Sequence, residues 1–77
     1  MKAISIDGNS VVMFSSEQEL AAAFDAECVS PQLATDIDTI YVFINPFEVD
    51  VYGRRVLCWH SDESEAKREE HELYRYI

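Results

Sequence analysis

The chain has 77 residues, which is enough for one hydrophobic core and too few for two, so we expect a single domain over residues 1–77. Hydrophobic residues make up 48% of the chain, which excludes a disordered acidic polymer in spite of the formal net charge of −9. That charge argues against direct binding to nucleic acid or to an anionic membrane, because Lys and Arg supply most of such affinity.

Two features of the composition indicate a cytoplasmic protein. The N-terminal residues show no signal-peptide pattern, and no stretch approaches the roughly 18 apolar residues that a membrane-spanning helix needs. Cys28 and Cys58 lie far apart and lack C-x-x-C spacing, so we expect both to be free thiols in a reducing compartment.

The first predicted element is a β-hairpin. Residues 3–7 and 11–14 are short runs of strand-forming residues, separated by the sequence Asp7-Gly8-Asn9-Ser10. Gly and Asn adopt the positive φ angles that a tight hairpin turn needs, so this segment is expected to connect the two strands.

A helix is predicted next, over residues 16–27. Ser16 and Glu19 have the spacing of a capping box, in which each side chain accepts a hydrogen bond from the other residue's backbone N–H. Ser30 and Pro31 favour one further short helical turn, with Ser30 as its cap.

Two strands are predicted after this helix. Residues 39–44 carry β-branched and aromatic side chains on both faces, which is typical of a central strand. Pro46 is expected to end that strand, because proline lacks the N–H of a central ladder. Residues 47–52 alternate and predict a half-exposed strand. Its apolar face holds Phe47, Val49 and Val51, and its outward face holds Glu48, Asp50 and Tyr52.

A turn at Gly53, a strand over residues 55–59 and a helix over residues 62–76 complete the prediction. The helix has acidic residues in its first turn and a favourable i, i+4 pair in Glu63 and Lys67. The predicted order is ββαβββα, an α+β fold with a small antiparallel sheet and two helices.

Cysteine and histidine could in principle form a metal or catalytic site. Cys28, Cys58, His60 and His71 match the composition of a structural zinc site, but their spacing lacks the paired ligands that preorganise one. A cysteine nucleophile also needs a base and an oxyanion hole, and the acidic surroundings are expected to raise the thiol pKa.

Paired carboxylates are the other candidates for chemistry. Asp36 with Asp38, and Glu48 with Asp50, could hold Mg²⁺ or act as an acid and a base. Neither pair has the flanking glycine of a calcium loop, and simply solvated acids show the same pattern. The chain has only two glycines, too few for a Gly-rich phosphate loop. We therefore expect no enzymatic activity, no metal and no cofactor.

Small size, acidity and the lack of a catalytic motif favour a protein that acts by binding another protein. Carboxylates can imitate the phosphates of a nucleic acid, so we expect a partner with a basic, nucleic-acid-binding surface. The leading hypothesis is an acidic inhibitor that blocks a host complex, of the anti-CRISPR or anti-restriction type that phages carry. Its predicted contact is one patch formed by Asp36, Asp38, Glu48 and Asp50, with Tyr52 as an aromatic anchor.

Two alternatives are open. The first is an accessory module, such as an antitoxin, an immunity protein or a small subunit, that binds without mimicry through the sheet edge and the terminal helix. Tyr74 and Tyr76 are then the expected anchors, although a tyrosine packed over the sheet with its hydroxyl in water has the same pattern. The second is a small metal-dependent enzyme. A steep dependence of binding on salt would favour the inhibitor over the accessory module.

Overall fold

The computed structural model describes residues 1–28 and 38–77. The elements, in order, are β1 (Lys2–Ser5), β2 (Val11–Met13), α1 (Glu17–Phe24), β3 (Glu27–Cys28), β4 (Thr39–Val49), β5 (Arg55–His60) and α2 (Glu63–Tyr74). This confirms the α+β class and the predicted order ββαβββα. The helical turn predicted at Ser30 and Pro31 lies outside the described residues. No helix in the described parts of the chain is long and apolar enough to cross a membrane.

The described strands form one five-stranded sheet in the order β2-β1-β4-β5-β3. The hairpin pairs β1 with β2 and β4 with β5 are antiparallel, whereas β1 with β4 and β3 with β5 are parallel. The sheet is therefore mixed, where the sequence predicts antiparallel pairing throughout. β1 and β4 can pair in parallel because a long connection joins them, which contains β2, α1 and β3, and not a tight turn.

The β1–β2 hairpin forms as predicted, with strands slightly shorter than expected. Gly8 has the positive φ of 76° that the turn requires. Asp7 fixes the turn: its Oδ1 accepts hydrogen bonds from the Ser5 hydroxyl at 2.6 Å and from the Asn9 backbone N–H at 2.9 Å. These bonds, with the Ser5 hydroxyl contributing most, hold the Asp7 pKa below its ordinary value.

Helix α1 begins after Ser16, whose hydroxyl accepts a hydrogen bond from the Glu19 N–H at 3.2 Å. The return half of the capping box is shifted by one residue, since the Glu19 carboxylate accepts from the Ser15 N–H at 2.9 Å. The helix ends at Phe24 and not at Glu27, because Asp25 adopts a left-handed φ of 50° and the chain then enters β3.

Strand β4 is a single strand of eleven residues, where two separate strands are predicted on either side of Pro46. Pro46 is accommodated because the register with β5 shifts between Ile44 and Val49, so no ladder N–H is required of it. Asn45 stabilises this bulge, as its Oδ1 accepts from the N–H groups of Phe47 at 2.8 Å and Glu48 at 3.1 Å.

Strand β4 lies in the middle of the sheet, and the sheet is covered on both faces there. On one face, Ile40, Val42 and Leu57 pack in a buried cluster with Leu20 of α1. The burial of each of these side chains contributes about 1.5–3 kcal/mol to the stability of the fold. The prediction that residues 39–44 form a central strand is therefore confirmed.

Helix α2 covers the other face of the sheet. Phe43 lies opposite Cys58 in the β4–β5 pair, and Phe43, Val56 and Ala66 of α2 are all buried. The predicted ion pair between Glu63 and Lys67 is present at 2.8 Å. The helix is shorter than predicted at both ends, and Asp62 caps it by accepting the Glu65 N–H at 3.0 Å.

Candidate partner-binding site

The structure separates the carboxylates that the sequence groups into one patch. The grouping assumed that Asp38 and Asp50 belong to adjacent strands, but they lie beyond the opposite ends of β4. Asp38 is exposed, and its carbonyl accepts a hydrogen bond from the Lys2 N–H at 2.8 Å. Asp36 lies outside the described residues. Asp38 and Asp50 therefore do not share one surface patch.

Asp50 builds the β4–β5 turn and is not presented to solvent. Its Oδ1 accepts from the N–H groups of Tyr52 and Arg54, both at 2.8 Å, and its Oδ2 lies 2.9 Å from Arg54 Nε. The side chain is only 11% exposed. Desolvation is the largest single influence on the Asp50 pKa and raises it, but the bonds from Arg54 and Tyr52 together lower it overall.

An open groove lies between α2 and the sheet. We call it the acidic groove, because Glu48 of β4 and Glu65 and Glu69 of α2 line it. Its volume is about 420 Å³, and the remaining lining residues are Asn45, Val56, Leu57, Cys58, Trp59, His60 and Ser61. Glu65 and Glu69 are four residues apart, which places both carboxylates on the same face of the helix.

His60 stands between the carboxylates of the acidic groove. Its Nδ1 is 3.7 Å from Glu65 Oε2, and its Nε2 is bonded to Glu69 Oε2. Both contacts join the end of β5 to α2, so they hold the walls of the groove together. Within residues 1–28 and 38–77, no group of three or more His, Cys, Asp and Glu side chains is arranged to hold a metal ion.

Cys58 lines the acidic groove as a half-buried free thiol. Burial raises its pKa, and the charges of Glu69 and Glu48 raise it further, while a hydrogen bond from Asn45 acts in the opposite direction. The thiol is therefore protonated at neutral pH. This confirms the expected free thiol for Cys58, and the side chain of Cys28 lies outside the description.

Residues 47–55 form the tip of the β4–β5 hairpin, which we call the hairpin arm. The exposed fractions of its apolar and aromatic side chains are 56% for Phe47, 64% for Val49, 93% for Val51 and 80% for Tyr52. The apolar face predicted for residues 47–52 is thus not buried. Alternation separates two faces without showing whether a core covers either, and the bulge redirects this part of β4.

The three tyrosines predicted as anchors have different environments. Tyr52 is exposed, and the Arg54 guanidinium lies 5.2 Å from its ring centroid. Tyr74 donates its hydroxyl to the Ile44 carbonyl at 2.7 Å, which fastens α2 to β4. Tyr76 is exposed at the C-terminal side of α2 beside Arg75. Tyr52 and Tyr76 are therefore accessible to a partner, and Tyr74 has a structural contact.

Sequence reasoning missed the residues that accompany Glu48 in the groove. The i, i+4 spacing of Glu65 and Glu69 is visible in the sequence, and so is the alternation of Cys58 and His60 on one strand face. The sequence does not show that α2 lies across this end of the sheet. The packing of α2 against the sheet brings Glu65 and Glu69 beside Cys58 and His60.

Fold and site together define a small, acidic α+β domain with a mixed sheet, an acidic groove on one face and an exposed hairpin arm beside it. No protein-family model, no curated protein and no solved structure matches the chain.

Proposed function

We propose that the protein is an acidic inhibitor that binds a basic, nucleic-acid-binding protein of a host complex, in the manner of phage-borne anti-CRISPR or anti-restriction proteins. The observation that supports it best is the acidic groove, in which Glu48, Glu65 and Glu69 line one open surface. A molecule of net charge −9 attracts a basic partner from a distance, and the groove offers a defined contact for it.

The groove suits a Lys or Arg side chain of the partner. Its volume of about 420 Å³ falls within the range of small ligand sites. Carboxylates accept bidentate hydrogen bonds from a guanidinium group. Occupying the basic residues in this way would exclude nucleic acid from the partner by competition. An inhibitor of this kind acts in the cytoplasm and contacts neither nucleic acid nor membrane.

The proposal is tested by competition for the partner. Proteins captured from a nuclease-treated host lysate are identified and purified, and each is titrated with a fluorescent oligonucleotide and with this protein. Displacement of the oligonucleotide supports inhibition by competition. Simultaneous binding of both, or binding to proteins without nucleic-acid affinity, contradicts it.

A matched pair of variants locates the contact. Glu48→Gln with Glu65→Gln removes two charges from the groove, and Asp38→Asn with Glu72→Gln removes two charges elsewhere. We expect the groove variant to associate about tenfold more slowly at low salt, with the difference shrinking at about 1 M salt. Equal effects of the two variants would show that net charge alone acts and that the groove has no special part.

The exposed hairpin arm favours one alternative, an accessory module such as an antitoxin, an immunity protein or a small subunit. Four exposed apolar or aromatic side chains can bind by desolvation without mimicry. Partner affinity that is insensitive to salt and is lost on replacing Phe47 or Tyr52 would favour this alternative over the acidic inhibitor.

A further inference from the structure

The hairpin arm exposes a large apolar surface for so small a protein. Phe47, Val49, Val51 and Tyr52 are adjacent in the β4–β5 hairpin and each is more than half exposed. Together they present on the order of 600 Å² of accessible surface, the size at which an exposed patch on a monomer is often functional.

The charge of the arm differs from that of the remaining molecule. Glu48 and Asp50 balance Arg54 and Arg55, so residues 47–55 carry no net formal charge. The whole net charge of −9 therefore lies outside the arm. A basic partner has no long-range attraction to a neutral arm, whereas two copies of this acidic chain repel each other least where their neutral arms meet.

We propose that the hairpin arm is a contact between two copies of this chain. A two-fold contact repeats every pairing, so the surface must complement itself, and the arm supplies apolar side chains with no net formal charge. Burial of the patch on both copies gives a total of about 1,200 Å², the lower end of the range for specific interfaces. The expected dimer is weak and reversible.

The arm is held in shape before it meets the second copy. Asn45 and Asp50 each accept two backbone N–H bonds from the residues that follow them. Gly53 completes the turn with a φ of 79°, and its N–H bonds to the Asp50 carbonyl at 3.0 Å. A surface fixed in this way loses little conformational entropy on binding.

Dimerisation through the arm has a salt dependence opposite in sign to that of the proposed inhibition. Each copy carries the full charge of −9, so the two copies repel, and salt screens this repulsion. Higher salt therefore strengthens the dimer while it weakens binding to a basic partner. The inference does not depend on the proposed function, because the dimer forms from this chain alone.

Sedimentation equilibrium of the purified protein tests the inference directly. We expect the mass to rise from the 8.8 kDa of one chain towards that of two as concentration increases. The transition should move to at least threefold lower concentration between about 0.01 M and about 1 M ionic strength, over which the Debye length falls from about 30 Å to about 3 Å. A protein that is monomeric at every concentration and salt overturns the inference.

Two matched double variants identify the contact. Val49→Thr with Val51→Thr makes the arm polar with little change in side-chain shape, and Val11→Thr with Ile77→Thr makes a comparable change at exposed sites elsewhere. We expect the arm variant to raise the dimer dissociation constant at least tenfold and the control to change it less than twofold.

Backbone amide NMR signals, followed on dilution, supply the second measurement. Signals of residues 45–55 should shift on dilution while those of β2 stay fixed, and the same spectra show that both variants are folded. Equal loss of the dimer in both variants, or dilution shifts outside the arm alone, would assign the contact to another surface.

Discussion

At the scale of single residues, the acids of this chain have two structural roles that the sequence alone does not distinguish. Asp7, Glu19 and Asp50 each accept hydrogen bonds from backbone N–H groups close in the chain, and these bonds hold turns and a helix start. Glu48 and Glu65 line the acidic groove instead. A carboxylate that already accepts hydrogen bonds from its own backbone has few lone pairs free for a partner. Glu48 and Glu65 are therefore the acids relevant to binding.

The acids that are bonded to nearby backbone N–H groups make the stability of the fold fall at acidic pH. The pKa values of Asp7 and Asp50 lie below 3.8, and that of Glu19 lies below 4.5, the values expected for the unfolded chain. The charged forms are favoured in the fold, so their contribution is complete above about pH 4.5 and is lost as pH falls through the lowered pKa values.

Urea denaturation between about pH 6 and about pH 2 checks this prediction. The unfolding midpoint of the parent protein should fall with pH below about 4.5, and Glu19→Gln should flatten that fall while lowering the midpoint at pH 6. A variant whose pH profile runs parallel to that of the parent would show that Glu19 titrates alike in the folded and unfolded chains.

Cys58 should be unreactive in the folded protein. Its raised pKa keeps the thiol protonated at pH 8, and it is half-buried, so we expect labelling by a disulfide reagent to be at least tenfold slower than in urea. The same shift stabilises the fold below the unfolded pKa of 9.0, and this contribution is lost as pH rises through the higher folded value. Labelling of Cys28→Ser isolates Cys58, and equal rates with and without urea would contradict the prediction.

At the scale of elements, local signals predict what local interactions decide. The turn at Gly8, the helix start at Ser16 and the pair of Glu63 with Lys67 depend on residues at most a few positions apart. All three are correctly predicted from spacing alone. The C-terminal end of α1 is less well predicted, because β3 takes residues that have no helix-stopping signal of their own.

Strand β4 shows where local signals are insufficient. Pro46 normally ends a central strand, yet here Asn45 caps the following N–H groups and the register with β5 shifts. The parallel pairing of β1 with β4 likewise depends on the path of the whole connection between them, which contains β2, α1 and β3. Neither choice leaves a pattern in the strand itself, so the sequence predicts the strand and misses its extent and its neighbours.

The attachment of α2 to the sheet depends partly on one hydroxyl. Tyr74 donates to the Ile44 carbonyl at 2.7 Å, and we expect Tyr74→Phe to lower the free energy of unfolding by about 1 kcal/mol. Tyr76→Phe is the control, since the Tyr76 hydroxyl contacts only the exposed neighbour Arg75 among the bonds described and should matter little. Urea denaturation compares them, and equal losses would remove the special role of the Tyr74 bond.

At the scale of the whole molecule, the net charge lies outside the hairpin arm, and Glu48 belongs both to the arm and to the acidic groove. The acidic body and groove are suited to a basic partner, and the neutral hairpin arm is suited to a second copy. The sequence predicts the acidity of the chain, the exposed Glu48 of the groove and the exposed Tyr52 of the hairpin arm. It cannot predict the groove, because Glu48 meets Glu65 and Glu69 only after α2 packs across the sheet.

The parallel pairing of β1 with β4 also determines when the molecule can fold during its synthesis. Lys2 pairs with Thr39, which is made only after β2, α1 and β3. Until then the β1–β2 hairpin has no neighbour on the side that becomes the sheet interior, and an isolated hairpin is barely stable in water. We therefore expect the β1–β2 hairpin to stay unfolded until β4 has been made and can pair with β1.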